Sequence, residues 1–245
     1  MKKTDMDSVK ELARALLWID PELTKFSPMV IRHPFTGVGI VGVVEDGKVQ
    51  MLDITKDEAS LNTWRKAMAK QIGQAEKAYE IYMMVNKPYA LTFLKFAEPH
   101  LSKEDFSAIL SSAWTMAEAP NQDINVSRRS LVAMFKKADP AVLMDEEEYE
   151  LFKELDDTVT VYRGVTSYNA KNIKALSWTL DRDTAEYFAH RFGEDGTVYE
   201  AQIDKKHIYA LFTGRNESEV IVDPKHLTDI TEVMEMQQGY SMSMQ

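Results

Sequence analysis

The chain has 245 residues, of which 44% are hydrophobic and 28% charged, and it contains no cysteine. At roughly 150 residues per domain this is one large domain or two small ones with a proper core, and disulfides, thiolate metal sites and cysteine nucleophiles are excluded. A net charge of −10 argues against a protein that lives on nucleic acid, because phosphate contacts need clustered Lys and Arg.

No stretch reaches the ~18 apolar residues of a membrane span. Met1-Lys2-Lys3 is followed by Asp5, Asp7 and Glu11, which interrupt any signal-peptide core. The expectation is an amphipathic helix starting near Thr4 or Ser8, in a cytoplasmic protein of the producing or host cell with no membrane partner. The helix stops at Asp20-Pro21. Met29 to Ile54 reads as β-rich, with an Asp46-Gly47 turn between two apolar runs predicting a hairpin. From Asp57 to Val85 the residues Leu61, Trp64, Met68, Ile72, Ala75, Tyr79 and Tyr82 recur at helical spacing, which predicts one long helix broken by Asn86-Lys-Pro88. Further helices are predicted at Tyr89–Ala97, Lys103–Ala117 (Ser102 and Asp105 resembling a capping box), Arg128–Lys137 (capped by Ser127) and Glu146–Leu155.

After Asp156-Asp157 the pattern changes. Val159–Arg163, Gly196–Ile203, Ile208–Phe212 and Glu219–Val222 read as strands, Leu227–Glu235 as a further one, and Thr184–Phe192 as a helix. The tail 236–245 has no periodicity and is expected to be frayed. A helical first half and a β-rich second half, without alternating βαβ units, is an α+β pattern.

Some signals are discounted. Gly37-Val-Gly39-Ile-Val-Gly42 spells a dinucleotide fingerprint, but no strand-to-helix turn follows it, so it reads as a glycine-rich strand with a bulge. Asp145-Glu-Glu-Glu148 reads as a solvated first turn of a helix. The five histidines show no metal-ligand spacing, so no metal is expected.

Three pieces of the β-rich half carry chemistry together. Arg163 at a strand end can fork two donors onto phosphate or ribose oxygens, and Gly164 after it lets a ligand approach the backbone. The hydroxyls of Ser177 and Thr179 can orient a carboxylate without adding charge. Glu217 and Glu219, separated by one residue on a loop, are expected to point to different sides and serve different partners. One would stabilise a cation developing on substrate, and the other would take a proton from a nucleophile. This equipment suits cleavage of a glycosidic bond and passage of the sugar to an acceptor. Each piece alone also fits a structural role; Glu-x-Glu recurs at Glu146/Glu148.

Val159 to Pro224 resembles the arginine–serine–glutamate class of mono-ADP-ribosyltransferases, which holds clostridial binary-toxin enzymes and vertebrate ecto-transferases. The resemblance covers roughly residues 120–235; Asp123-Ile-Asn125 and the helices up to Leu155 are similar to the family's helical lobe. With Trp178 and Glu219-Val-Ile-Val-Asp-Pro224 the pattern also resembles phage-encoded ADP-ribosyltransferase-like proteins. The resemblance implies a helical N-terminal lobe followed by a β-rich core of two packed sheets. Residues 1–56 would then be an extension, 57–235 the transferase-like domain (57–156 helical, 157–235 NAD-binding) and 236–245 a tail. It implies NAD as co-substrate, held by Arg163, the Gly164 backbone, Ser177, Thr179 and Glu219. Ser177 would fix Glu219, Glu219 would grip the ribose, and Glu217 would activate an acceptor on an unidentified protein, an arginine in the leading reading. Thr213–Ser218 corresponds to the recognition loop, which is short and lacks the family's exposed aromatic unless Phe212 serves. Trp178 stands where the family more commonly has Thr or Ser. The alternatives are an NAD glycohydrolase and a non-catalytic phage-associated interaction protein that keeps the fold.

Overall fold

Asp5 opens the first helix, α1 (Met6–Leu17), by accepting the Ser8 N–H on its carboxylate, and Val9, Ala13 and Leu17 bury the stripe that four-residue spacing creates. The far end is closed by a residue distant in sequence. The buried guanidinium of Arg65 donates to the carbonyls of Leu17, Trp18 and Ile19 and to the Asp20 carboxylate, supplying donors that a helix end lacks. The computed structural model describes residues 2–45, 47–117, 125–169, 172–193 and 195–233, less the side chains of Phe192 and Arg215.

The β-rich segment forms a three-stranded antiparallel sheet of β1 (Glu22–Leu23), β2 (Val30–His33) and β3 (Thr36–Val38), followed by a hairpin of β4 (Ile40–Glu45) and β5 (Lys48–Asp53). Glu45 pairs with Lys48, and Gly47 takes φ 75°, the conformation a two-residue turn demands; Asp46 lies outside the described residues. Gly37 is in β3, Gly42 in β4 and Gly39 between them, and β5 rather than a helix follows. The discounted fingerprint is thus strand backbone.

The continuous helix expected over 57–85 is interrupted. α2 (Glu58–Gln74) and α3 (Ala78–Met83) are separated because the Glu80 carboxylate accepts the N–H groups of Glu76 and Lys77, offering the backbone a partner other than the helical carbonyls. Next come α4 (Ala90–Ala97), α5 (Lys103–Met116), α6 (Arg128–Lys137) and α7 (Pro140–Leu143). Ser102 and Ser127 cap α5 and α6 as expected. The return bond of the Ser102 box differs: the Ser102 N–H donates to Thr4 Oγ1, at 2.7 Å. Phe93, Phe106, Trp114 and Phe135 are buried at the centre, the last two edge-to-face at 5.0 Å.

Residues 1–143 and 144–245 are two compact units. Residues 1–56 thus share a unit with α2 to α7, whereas α8 (Glu146–Glu154), placed in the helical lobe by the sequence reading, belongs with the sheet. That sheet is built from β6 (Thr158–Val165), β7 (Ser177–Thr179), β8 (Thr197–Asp204), β9 (Ile208–Phe212), β10 (Glu219–Val222) and β11 (Thr228–Glu232), with α9 (Arg182–His190) between β7 and β8. Its order is β11-β8-β6-β7-β10-β9, antiparallel throughout. The protein is α+β, with a mostly helical middle region and a C-terminal six-stranded sheet.

Two packed sheets were the expectation; the strands form one sheet in two halves. β6 pairs with β8 from Thr158↔Asp204 to Val165↔Thr197, but with β7 only at Tyr162↔Thr179. The reason is length: β7 has three residues, all three of which pair with β10. No helix of the described residues is long and apolar enough to cross a membrane. The tail 236–245 lies outside the described residues, as do Asp123 and Ile124.

Candidate active site

Register fixes the site before any side chain is considered. Thr179 stands opposite both Tyr162 and Glu219, so Tyr162, Thr179 and Glu219 share one face of the sheet, and Ser177, opposite Ile221, lies on that face two residues along. Trp178 points to the other face, where it is buried and donates its indole N–H to the Ala175 carbonyl at 3.0 Å. Its bulk at the middle of the motif is therefore a core residue's. Ser177 was expected to fix Glu219. The residue directly across from Glu219 is Thr179, and Ser177 is its diagonal neighbour, because the register runs Thr179↔Glu219 and Ser177↔Ile221.

Arg163, half-buried on β6, donates from its guanidinium to the Ser177 carbonyl. Gly164 has a demanding environment. A Cβ built there would come within 2.1 Å of the Ala185 carbonyl oxygen and 2.5 Å of the Ala189 nitrogen. The space assigned to a ligand is occupied by the backbone of α9, which packs onto the strand; a Cβ built on Gly196 would likewise come within 2.2 Å of the Ala189 oxygen.

The acidic loop is held from two sides. Thr179 Oγ1 donates to the Glu217 carbonyl at 2.6 Å and accepts the Asp181 N–H at 3.0 Å, while the Leu180 N–H donates to the Ser218 carbonyl at 3.0 Å. At the loop's start, Glu148 accepts the Thr213 N–H at 2.7 Å and also the Asp145 N–H. Glu148 was expected in a solvated turn. It is buried because its carboxylate receives these donors, and only its predecessors Asp145 to Glu147 are exposed.

The opposite directions expected of Glu217 and Glu219 need another cause than an extended backbone, in which residues two apart share a face. Glu217 is helical, at φ −90° and ψ −16°, and Ser218 is left-handed, at φ 41°; only Glu219 begins a strand. The turn at Ser218 separates the two acids. Phe212, the expected exposed aromatic, is buried at 4% exposure on β9, opposite Glu219. All of β9 except Tyr209 is buried, so the strand leaves Phe212 no outward position.

An open cleft of about 500 Å³ adjoins Glu217, lined by Asn216, Asp181, Asp183, Thr184, Tyr187 and Phe188. Asp181 caps α9, and the Thr184 hydroxyl, followed by burial working the other way and by the N–H groups of the first turn, holds its carboxyl below the usual carboxylate range. Tyr187 is 69% exposed and meets Phe188 edge-to-face at 5.6 Å. Sequence reading missed these residues: the signal was an N-cap followed by aromatics, which describes many surface helices. Among the described residues, no group of three or more His, Asp or Glu is placed to hold a metal ion.

Comparison with protein-family models, curated proteins and solved structures finds no match to this chain.

Proposed function

We propose that residues 144–245 form a mono-ADP-ribosyltransferase that cleaves NAD at the nicotinamide–ribose bond and passes ADP-ribose to a cationic protein side chain, arginine first. In this reading Arg163 binds the NAD phosphates and ribose, while Gly164 admits the backbone of α9 against the strand. Ser177 and Thr179 orient the acids, Glu219 stabilises the ribosyl cation as nicotinamide leaves, and Glu217 takes the proton from the acceptor.

One observation carries the reading. Ser177 and Thr179 lie far from Glu219 in sequence, yet the three share one face of adjacent strands with Glu219 directly across from Thr179, and the guanidinium of Arg163, which follows Tyr162 on the next strand, reaches the Ser177 carbonyl. The acceptor class is supported by the cleft beside Glu217, where Asp181 and Asp183 supply negative charge and Tyr187 an exposed ring suited to a guanidinium.

The test measures nicotinamide release and label transfer to protein in two variants. Glu219→Gln removes the charge beside the developing cation, so both reactions should fall by about 10²–10³. Glu217→Gln should abolish transfer to protein and leave hydrolysis within a few-fold, because bond cleavage does not need the acceptor's proton removed. Retained activity in Glu219→Gln overturns the assignment. Hydrolysis with no transfer by the parent protein makes it a glycohydrolase, and neither turnover nor stabilisation by NAD makes it an interaction module.

A further inference from the structure

The N-terminal unit carries an apolar surface that its own core does not use. From Val38, the end of β3, to Val44 burial alternates, with Gly39, Val41 and Val43 buried and Val38, Ile40, Gly42 and Val44 exposed. Ile40, Gly42 and Val44 share one face of β4, since alternate strand residues do, and Val38 ends β3 just before the bend at Gly39. Register extends it sideways: Val30 lies opposite Val38, Met51 opposite Gly42 and Val49 opposite Val44. Val44 and Val49 are 70% and 69% exposed and Met51 is 63% exposed. These side chains leave roughly 500 Å² of apolar surface in water, at the upper end for a lone protein.

Two further observations identify what covers it. Met29 and Phe26, in the chain leading into β2, are also exposed and bring the apolar area to roughly 800 Å², the share each partner contributes to a standard stable interface. The region is almost neutral: residues 19–56 hold five carboxylates and four basic side chains, a balance of −1 in a chain of −10. Two copies could meet here without the repulsion that their remaining surfaces would impose.

We propose that this face is a homodimer surface, on which a second copy of the chain lays the same stripe across a two-fold axis. A two-fold contact is self-complementary, so one apolar stripe with little net charge suffices for both sides. Lipid is the poorer occupant, because the acidic chain would be repelled by an anionic membrane.

Sedimentation equilibrium of the full chain between about 1 and 100 μM tests the proposal. The expected result is a mass twice that of the monomer, falling to the monomer in Val49→Lys, with an unchanged far-ultraviolet dichroism spectrum. Val44→Lys on the facing strand is the second variant; both positions are so exposed that neither substitution empties the core. Val49→Ile should keep the dimer. A monomeric parent protein over the whole range, including one that binds vesicles instead, overturns the proposal. So does a dimer that both folded lysine variants retain.

Discussion

The hydroxyl of Thr179 joins two backbone segments, donating to the Glu217 carbonyl and accepting the Asp181 N–H. Thr179→Val keeps the shape and removes both of these part-buried hydrogen bonds, at a net cost of about 0.5–1.5 kcal/mol each. Transfer to protein should fall more than NAD hydrolysis, because Glu217 moves while Glu219 keeps its strand; equal loss of both would tie Thr179 to the ribose instead. At His33 the argument concerns pH. Its Nδ1 accepts the Phe35 N–H at 3.0 Å and its Nε2 meets the Leu17 carbonyl at 3.2 Å, which defines a neutral ring. Burial, as the leading cause, holds its pKa below the ordinary 6.5. The folded form then binds fewer protons than the unfolded form, so the stabilisation is complete above pH 6.5 and is lost as pH falls through the folded value. Urea melts at pH 7.5 and pH 5 should show that loss, and it should shrink in His33→Gln. It will not vanish, because His207 is depressed in the same direction by burial and by the stacked ring of His226, 3.5 Å away.

At the level of elements, α9 depends on two glycines. Gly164 on β6 and Gly196 ahead of β8 let the helix backbone approach the sheet, with Ala185, Ala189 and Val198 forming the buried contact. In Gly164→Ala the new methyl group meets main-chain atoms, which cannot rotate away, so a loss of about 1–3 kcal/mol or more is expected. A thermal melt checks the cost, and an undiminished melting temperature would mean that α9 shifts freely. The same pair shows what local sequence reveals. A glycine after a strand arginine marks a close approach, but not whether ligand or helix makes it, since the neighbour lies some twenty residues on. Caps such as Ser102 and Ser127 were legible because they act within three residues. The break between α2 and α3 was hidden by a helical apolar rhythm that continues through it, while Glu80 supplied the competing acceptor.

For the whole molecule, the α+β class followed from where helical and alternating rhythms lie in the chain. The adjacency of Arg163, Ser177 and Glu219 did not follow from any rhythm, because pairing between distant strands is decided by tertiary packing. Nor was the left-handed Ser218 visible, since serine favours no such conformation. The narrow join between the halves of the C-terminal sheet has a dynamic consequence. β11-β8-β6 and β7-β10-β9 meet at Tyr162↔Thr179 and through the Arg163 guanidinium on the Ser177 carbonyl. The halves are therefore candidate foldons, whose amide protons should exchange with solvent at separate rates. A ligand grasping Arg163 on one side and Glu219 on the other would link those openings, and exchange would slow on both sides together.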